Sequence, residues 1–197
     1  AMQSWASPDR LAKRLRGAPL SAGPLPYPST FGLAGRHVAL PELLAGGGGG
    51  PTRDYAFDVT LAPRLPELLP DAELFPKELL SRGQVAYVRY PQFGAGARGA
   101  GAPMHAHYGA VNALFAGSKR WFLLPPSEAF WGVTPVSSWV GSPEFVLLRE
   151  RGVLLEVVQR AGDLIFVPEG WGHATLLLEE FGVGIGQEFI ADSSIYS

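Results

Sequence analysis

From Val85 to Phe189 the chain is cut into short apolar runs by glycine and proline, and this punctuation points away from a helical fold. The 197 residues include 25 glycines and 18 prolines, too many breakers for long helices but well suited to strands joined by turns. The runs that fit strands are Val85–Tyr90, Pro103–Tyr108, Val111–Phe115, Arg120–Leu124, Leu154–Gln159, Leu164–Val167, His173–Leu178 and Val183–Phe189. Eight strands of this length predict two facing sheets or a squashed barrel, with short helices packed at one end.

The segment before Val85 reads differently. Ser7-Pro8 has the form of an N-cap and first turn for a short helix through Arg16. Arg10, Lys13, Arg14 and Arg16 make it basic, with Leu11 and Leu15 on the other side. That pattern is expected of a solvated helix face, the alternative being contact with an acidic partner. Residues 17–36 read as loop. Gly46–Gly50 is a pure glycine run with no Lys-Ser/Thr after it, so it is not a phosphate loop. Pro63–Leu69 and Pro76–Leu80 read as short helices. Phe93–Gly101 reads as a loop at the mouth of a cavity, and Ser127–Val146 as an insertion connecting the two halves of the barrel.

Two of the four histidines, His105 and His107, stand at i and i+2 in one apolar run. If that run is a strand, both imidazoles leave the same face. His173 lies far downstream, after a Pro-Glu-Gly turn at Pro168. Two imidazoles from one strand and one from a remote strand meet at a single point inside a barrel, where three neutral nitrogens suit a divalent transition metal with positions left open. His37 has no such context.

The residues that follow the first pair carry a resemblance. NALFAGSKRWFLLPP, with Asn112, Gly117, Lys119, Arg120 and Trp121, is similar to the Asn-x-Leu-x-x-Gly-x-Lys-Arg-Trp run of the jumonji-C (JmjC) branch of the cupin-like Fe(II)/2-oxoglutarate oxygenases. GDLIFVPEGWGHATL resembles the strand-turn-strand that delivers that family's distal histidine, and IGQEF its closing strand. The resemblance covers roughly Arg53 to Phe189. It implies a mostly β fold, a double-stranded β-helix (cupin/jelly-roll barrel) with short helices at the N-terminal end. It also implies that His105, His107 and His173 hold the metal, that Lys119 pairs with the far carboxylate of 2-oxoglutarate, and that Asn112 hydrogen-bonds the same cosubstrate. Implied cofactors are Fe(II), with zinc or another divalent ion as alternatives, and 2-oxoglutarate.

Departures from the family pattern are equally specific. His107 falls where most relatives have a carboxylate ligand, which places the chain nearest a single-domain subgroup with His-x-His; some members of that subgroup belong to the endoplasmic reticulum lumen. Ala102 stands where many relatives carry a cosubstrate-binding threonine, Gly186 where some have another hydroxyl, and Gly172 where a tryptophan is common. The resemblance therefore implies either a hydroxylase- or demethylase-type oxygenase with a three-histidine site, or a catalytically silent metal-binding domain that serves as a protein-interaction module. Lys119 and Trp121 share one face of their strand, and a lysine turned inward needs an anion, which a dicarboxylate provides. Tyr87 shares a face with Arg89; if that face lines the cavity its hydroxyl reaches a bound acid, the alternative being packing or exposure. Trp121, Trp131, Trp139 and Trp171 read as core or rim.

Composition narrows the remaining classes. Hydrophobic residues make up 47% and charged residues 17% of the chain, a balance that supports a sizeable core. A net charge of −2 provides no basic field for nucleic acid. No apolar run approaches the roughly 20 residues of a membrane-spanning helix. Cysteine is absent, so thiolate chemistry and disulfides are excluded, while the compartment, endoplasmic reticulum lumen or cytoplasm, stays open. The expected organisation is a single domain over 1–197, with helix and loops at 1–52, barrel core at 53–190 and a tail at 191–197. Because Ala191–Ser197 is too short to build an interface, a monomer is expected.

Overall fold

Each sheet of the molecule hides one face under helices and turns the other inward. The computed structural model describes Trp5 and residues 7–25, 35–45, 53–61, 85–89 and 91–191. Their strands are β1 (Leu20–Gly23), β2 (Arg36–Val38), β3 (Tyr55–Asp58), β4 (Val85–Val88), β5 (Gln92–Gly96), β6 (Gly101–His105), β7 (Gly109–Ala116), β8 (Ser118–Leu124), β9 (Leu155–Arg160), β10 (Leu164–Val167), β11 (Gly172–Leu177) and β12 (Gly182–Ala191). The helices are α1 (Pro8–Leu15), α2 (Leu40–Leu44), α3 (Val136–Trp139) and α4 (Pro143–Glu150).

The larger antiparallel sheet has the order β10-β7-β12-β5-β3-β1-β2, with β4 added beside the end of β12. The smaller has the order β6-β11-β8-β9. From β5 to β12 the chain passes back and forth between the two sheets. This is the double-stranded β-helix of the cupin or jelly-roll class, and the protein is mostly β.

Local sequence explains the coverings. α1 starts with Pro8 in its first turn and buries Leu11 and Leu15, one helical turn apart, while Lys13, Arg14 and Arg16 stay exposed. Together with Leu40 and Leu43 of α2, these leucines cover Phe93, Ala95, Val183 and Ile185 on the outer face of the larger sheet. Trp5 packs on Phe115 of the same face at 4.8 Å between ring centroids. The smaller sheet is covered by α3 and α4, where Trp139 and Phe145 meet Phe122 edge-to-face at 5.7 and 5.6 Å. Phe122 faces out to this cluster, so its neighbours Lys119 and Trp121 face in.

Three expectations need correction. Residues 17–36 are not all loop, because β1 and the first residue of β2 lie there; both strands are too short and too mixed in composition to show an alternating pattern. Phe93–Gly101 is not all loop, since residues 93–96 belong to the buried strand β5, and only the turn around Arg98 and Gly99 follows it before β6. Its glycines misled the reading: at Gly94 an added Cβ would collide with the Tyr55 hydroxyl crossing from β3, so the small residue is a packing requirement. Ser127–Val146 does more than connect, since Val136, Trp139 and Phe145 form part of the core. The expected helices Pro63–Leu69 and Pro76–Leu80, the run Gly46–Gly50 and Tyr90, the last residue of the first expected strand, lie outside the described residues.

Gly117 joins β7 to β8 with φ +78°, and a Cβ there would strike the Phe181 carbonyl oxygen. Gly152 has a similar φ of +69° but open space around it. Gly152→Ala is expected to lower the unfolding free energy by about 1 kcal/mol, the backbone penalty alone. Gly117→Ala should lose at least twice as much, because strain and collision add. Urea denaturation of the two variants beside the parent checks the ordering.

Candidate metal centre

His173 on β11 sits directly opposite His105 on β6, and this pairing brings together residues far apart in sequence. His107 joins them by another route. The strand ends at His105 and His107 lies two residues beyond it, so the pair does not share one strand, yet both rings turn toward the same point. Ring centroids lie 4.1 Å apart for His105 and His173, 4.5 Å for His107 and His173, and 5.3 Å for His105 and His107. One nitrogen from each falls within 4.8 Å of the others, a spacing that could hold a metal ion.

Backbone carbonyls fix all three rings. His105 Nδ1 lies 2.7 Å from the Pro103 oxygen, His107 Nδ1 2.7 Å from that of Tyr108, and His173 Nδ1 3.1 Å from that of Trp171. A carbonyl only accepts, so each Nδ1 carries a proton, and a ring in its neutral form keeps its lone pair on Nε2. Burial pushes His105 down to about 4, opposed by its hydrogen bond to Pro103 and reinforced by His107. Burial likewise holds His173 well below the usual imidazole range, with His105 and His107 adding to the effect. Both are therefore neutral at pH 7. The donor set suits a divalent ion of the zinc or iron class. Among the described residues no carboxylate joins this cluster.

Lys119 and Asn112 line the same cavity. Lys119 is 2% exposed, yet its closest polar partner is Asn112 Oδ1 at 3.5 Å, beside the Trp121 ring at 5.6 Å. Burial pushes the amine down to about 8. At pH 7 the fold thus holds a buried cation that an anion would stabilise. Tyr87 is not in the cavity. Its strand pairs with the far end of β12, where Ile190 is its partner, and the side chain is 52% exposed. Tyr55 of β3 lines the cavity instead, and burial raises its phenol above the usual range.

Two positions went unseen in the sequence. Gln159 of β9 accepts from Trp121 Nε1 at 2.9 Å and donates to the carbonyl oxygens of Asn112 at 2.8 Å and Asp163 at 3.1 Å. It bridges the two sheets behind the cavity and holds both strands that carry Asn112 and Trp121. Thr175 of β11 is the other, hidden in an apolar run. Gly186 sits between Asn112 and Gln92 on neighbouring strands, and an added Cβ would touch both amides at 3.4 and 3.6 Å. At Gly172 the missing side chain lets Ala129 close against β11. That approach leads the chain to Trp131, 65% exposed and 6.2 Å from His105.

No family model matches the chain. Human JmjC domain-containing protein 8 is 34% identical over 89 residues, which are 44% of this chain and 33% of that protein. The 2-oxoglutarate and iron-dependent oxygenase JMJD4 of Danio rerio is 29% identical over 97 residues, 43% of this chain and 23% of that protein. The chain thus matches a third or less of the length of these relatives. YcfD, a ribosomal oxygenase from Escherichia coli, has the same fold, with a TM-score of 0.52 at 14% identity over 96% of this chain and 45% of that one.

Metal analysis of His173→Ala is expected to show loss of about one equivalent of divalent ion relative to the parent, since a three-donor site does not survive with two. A full equivalent retained by the variant would remove His173 from the ligand set. The metal-free parent should lose stability as pH falls from about 6.5, the unfolded histidine value, toward 4, because its depressed imidazoles resist protons that the unfolded chain takes up.

Proposed function

We propose that this chain, a member of the JmjC family, is an Fe(II)- and 2-oxoglutarate-dependent oxygenase of hydroxylase or demethylase type whose metal is held by three histidines. The observation that carries the reading is the buried Lys119, without an anionic partner among the described residues, in the same cavity as the histidines. A metal site with a purely structural role has no use for it.

His105, His107 and His173 would hold the ion through Nε2 and leave the remaining positions to small ligands. Bound Fe(II) would supply the redox chemistry with dioxygen, in which 2-oxoglutarate loses carbon dioxide to become succinate and a substrate C–H bond gains one oxygen atom. The chain's own residues define the pocket for the acid. Lys119 neutralises its far carboxylate, Asn112 and Tyr55 offer hydrogen bonds, and Gln159 keeps Asn112 in place through its carbonyl. Trp121 and Val167 supply apolar wall that excludes water and strengthens the ion pair.

His107 favours a second reading, a metal-binding domain without turnover that serves as an interaction module. Three neutral donors leave the ion one negative charge short of a site with a carboxylate, which weakens the hold on Fe(II). His107→Asp is therefore expected to tighten Fe(II) and to raise 2-oxoglutarate turnover in the absence of substrate. Weaker iron binding in that variant would identify the three-histidine site as the tuned state.

Lys119 gives the direct test. Its protonated form binds the acid, so affinity for 2-oxoglutarate should be level near pH 7 and fall about tenfold between pH 7 and 9, as an amine of pKa about 8 releases its proton. Lys119→Met is expected to bind weakly with a flat profile. Calorimetric titration of the anaerobic Fe(II) protein measures both, and a parent affinity insensitive to pH in this range would exclude Lys119 as the partner.

A further inference from the structure

The cavity holds a hydroxyl that arrives from an unexpected strand. Between β6 and β11 the register slips by one residue: His173 faces His105, but Thr175 faces Ala102, so β6 uses three steps where β11 uses two. Such a bulge re-aims a side chain. β6 is an edge strand, and Pro103, which has no N–H to offer, lies in the bulged stretch where the ladder can spare one. Gly101 completes the arrangement, since any Cβ there would collide with the Thr175 carbonyl; the glycine lets the strands close up next to the bulge.

The outcome is a polar side chain placed with little freedom. Thr175 is 5% exposed and lines the cavity. Its oxygen accepts the Ala102 amide proton at 3.2 Å. The hydroxyl proton is left for a second partner, and accepting a hydrogen bond makes it a better donor. On its other side β11 pairs with β8, setting Thr175 opposite Trp121 and Leu177 opposite Lys119. Thr175 and Lys119 are therefore diagonal neighbours on the inward face of the smaller sheet.

Resting on the functional reading above, we infer that Thr175 donates its hydroxyl proton to the far carboxylate of the bound dicarboxylic acid, alongside Lys119. The hydroxyl stands in for one absent at Ala102, reaching the same place from the strand of the distal histidine. It selects for an acid with a second carboxylate, and it does not act on the metal.

Calorimetric binding of 2-oxoglutarate and of 2-oxobutyrate, which lacks the far carboxylate, to the anaerobic Fe(II) protein separates the outcomes. Thr175→Val should weaken 2-oxoglutarate about tenfold, the worth of one hydrogen bond to a charged group. The same variant should leave 2-oxobutyrate and the metal content as in the parent. Thr175→Ser should keep parent affinity, and the exchange variant Ala102→Thr with Thr175→Val should recover it. If the valine variant does not fold, Thr175→Ala, whose smaller side chain admits a water to the Ala102 amide, gives the same comparison. Parent-like affinity in the hydroxyl-free variants, or equal loss for both acids, would show that the hydroxyl serves strand pairing alone. A parent that binds metal but neither acid overturns the oxygenase reading, and this inference with it.

Discussion

The antiparallel pairing of β11 is the constraint on which the site depends. Lying between β6 and β8, it sets His173 against His105 on one side and Thr175 against Trp121 on the other. Metal donors and anion donors are thereby fixed relative to one another by main-chain hydrogen bonds. The helices matter because they cover the outer faces. With Phe122 engaged by Trp139 and Phe145, and Phe93 and Ile185 covered by α1 and α2, the apolar demand of both sheets is met outside. The inward faces are then left open to polar residues that a packed barrel could not hold.

Electrostatics distinguishes this cavity from an ordinary core. His105 and His173 are kept neutral by burial, and the lysine stays charged at neutral pH without an acidic hydrogen-bond partner among the described residues. A metal ion would add two positive charges to a pocket that already holds one. The interior is therefore suited to small dianions that span metal and lysine, and it disfavours a cationic group. With three neutral imidazoles and no carboxylate in the cluster, a bound ion would keep its full positive charge and sharpen that bias.

Much of this was legible in the sequence, and the limits are instructive. All eight runs from Val85 onward fall on observed strands, β4 and β6 to β12, because one inward and one outward face impose alternation on them. β5 was unreadable since its glycines and alanines answer to Tyr55 crossing from β3, a partner that no local window contains. The histidines were found by motif and their side chains do cluster, although His107 lies beyond the end of the strand that carries His105. Tyr87 and Tyr55 illustrate the converse. Both are strand tyrosines, and only the pairing of β4 with the far end of β12 puts the first outside the cavity. Gln159 and Thr175 gave no signal, as a glutamine in an edge strand and a threonine in an apolar run usually answer to solvent or to strand propensity.

The three imidazoles are oriented by carbonyls of Pro103, Tyr108 and Trp171, each within two residues of the ring it holds. Among the described residues no side chain hydrogen-bonds their Nδ1 atoms. Mutational drift at the barrel mouth and on the helices can therefore proceed without misdirecting the ligands, provided the main-chain path is kept. The donor geometry is in this sense a heritable property of the backbone, which leaves the surrounding loops free to diverge.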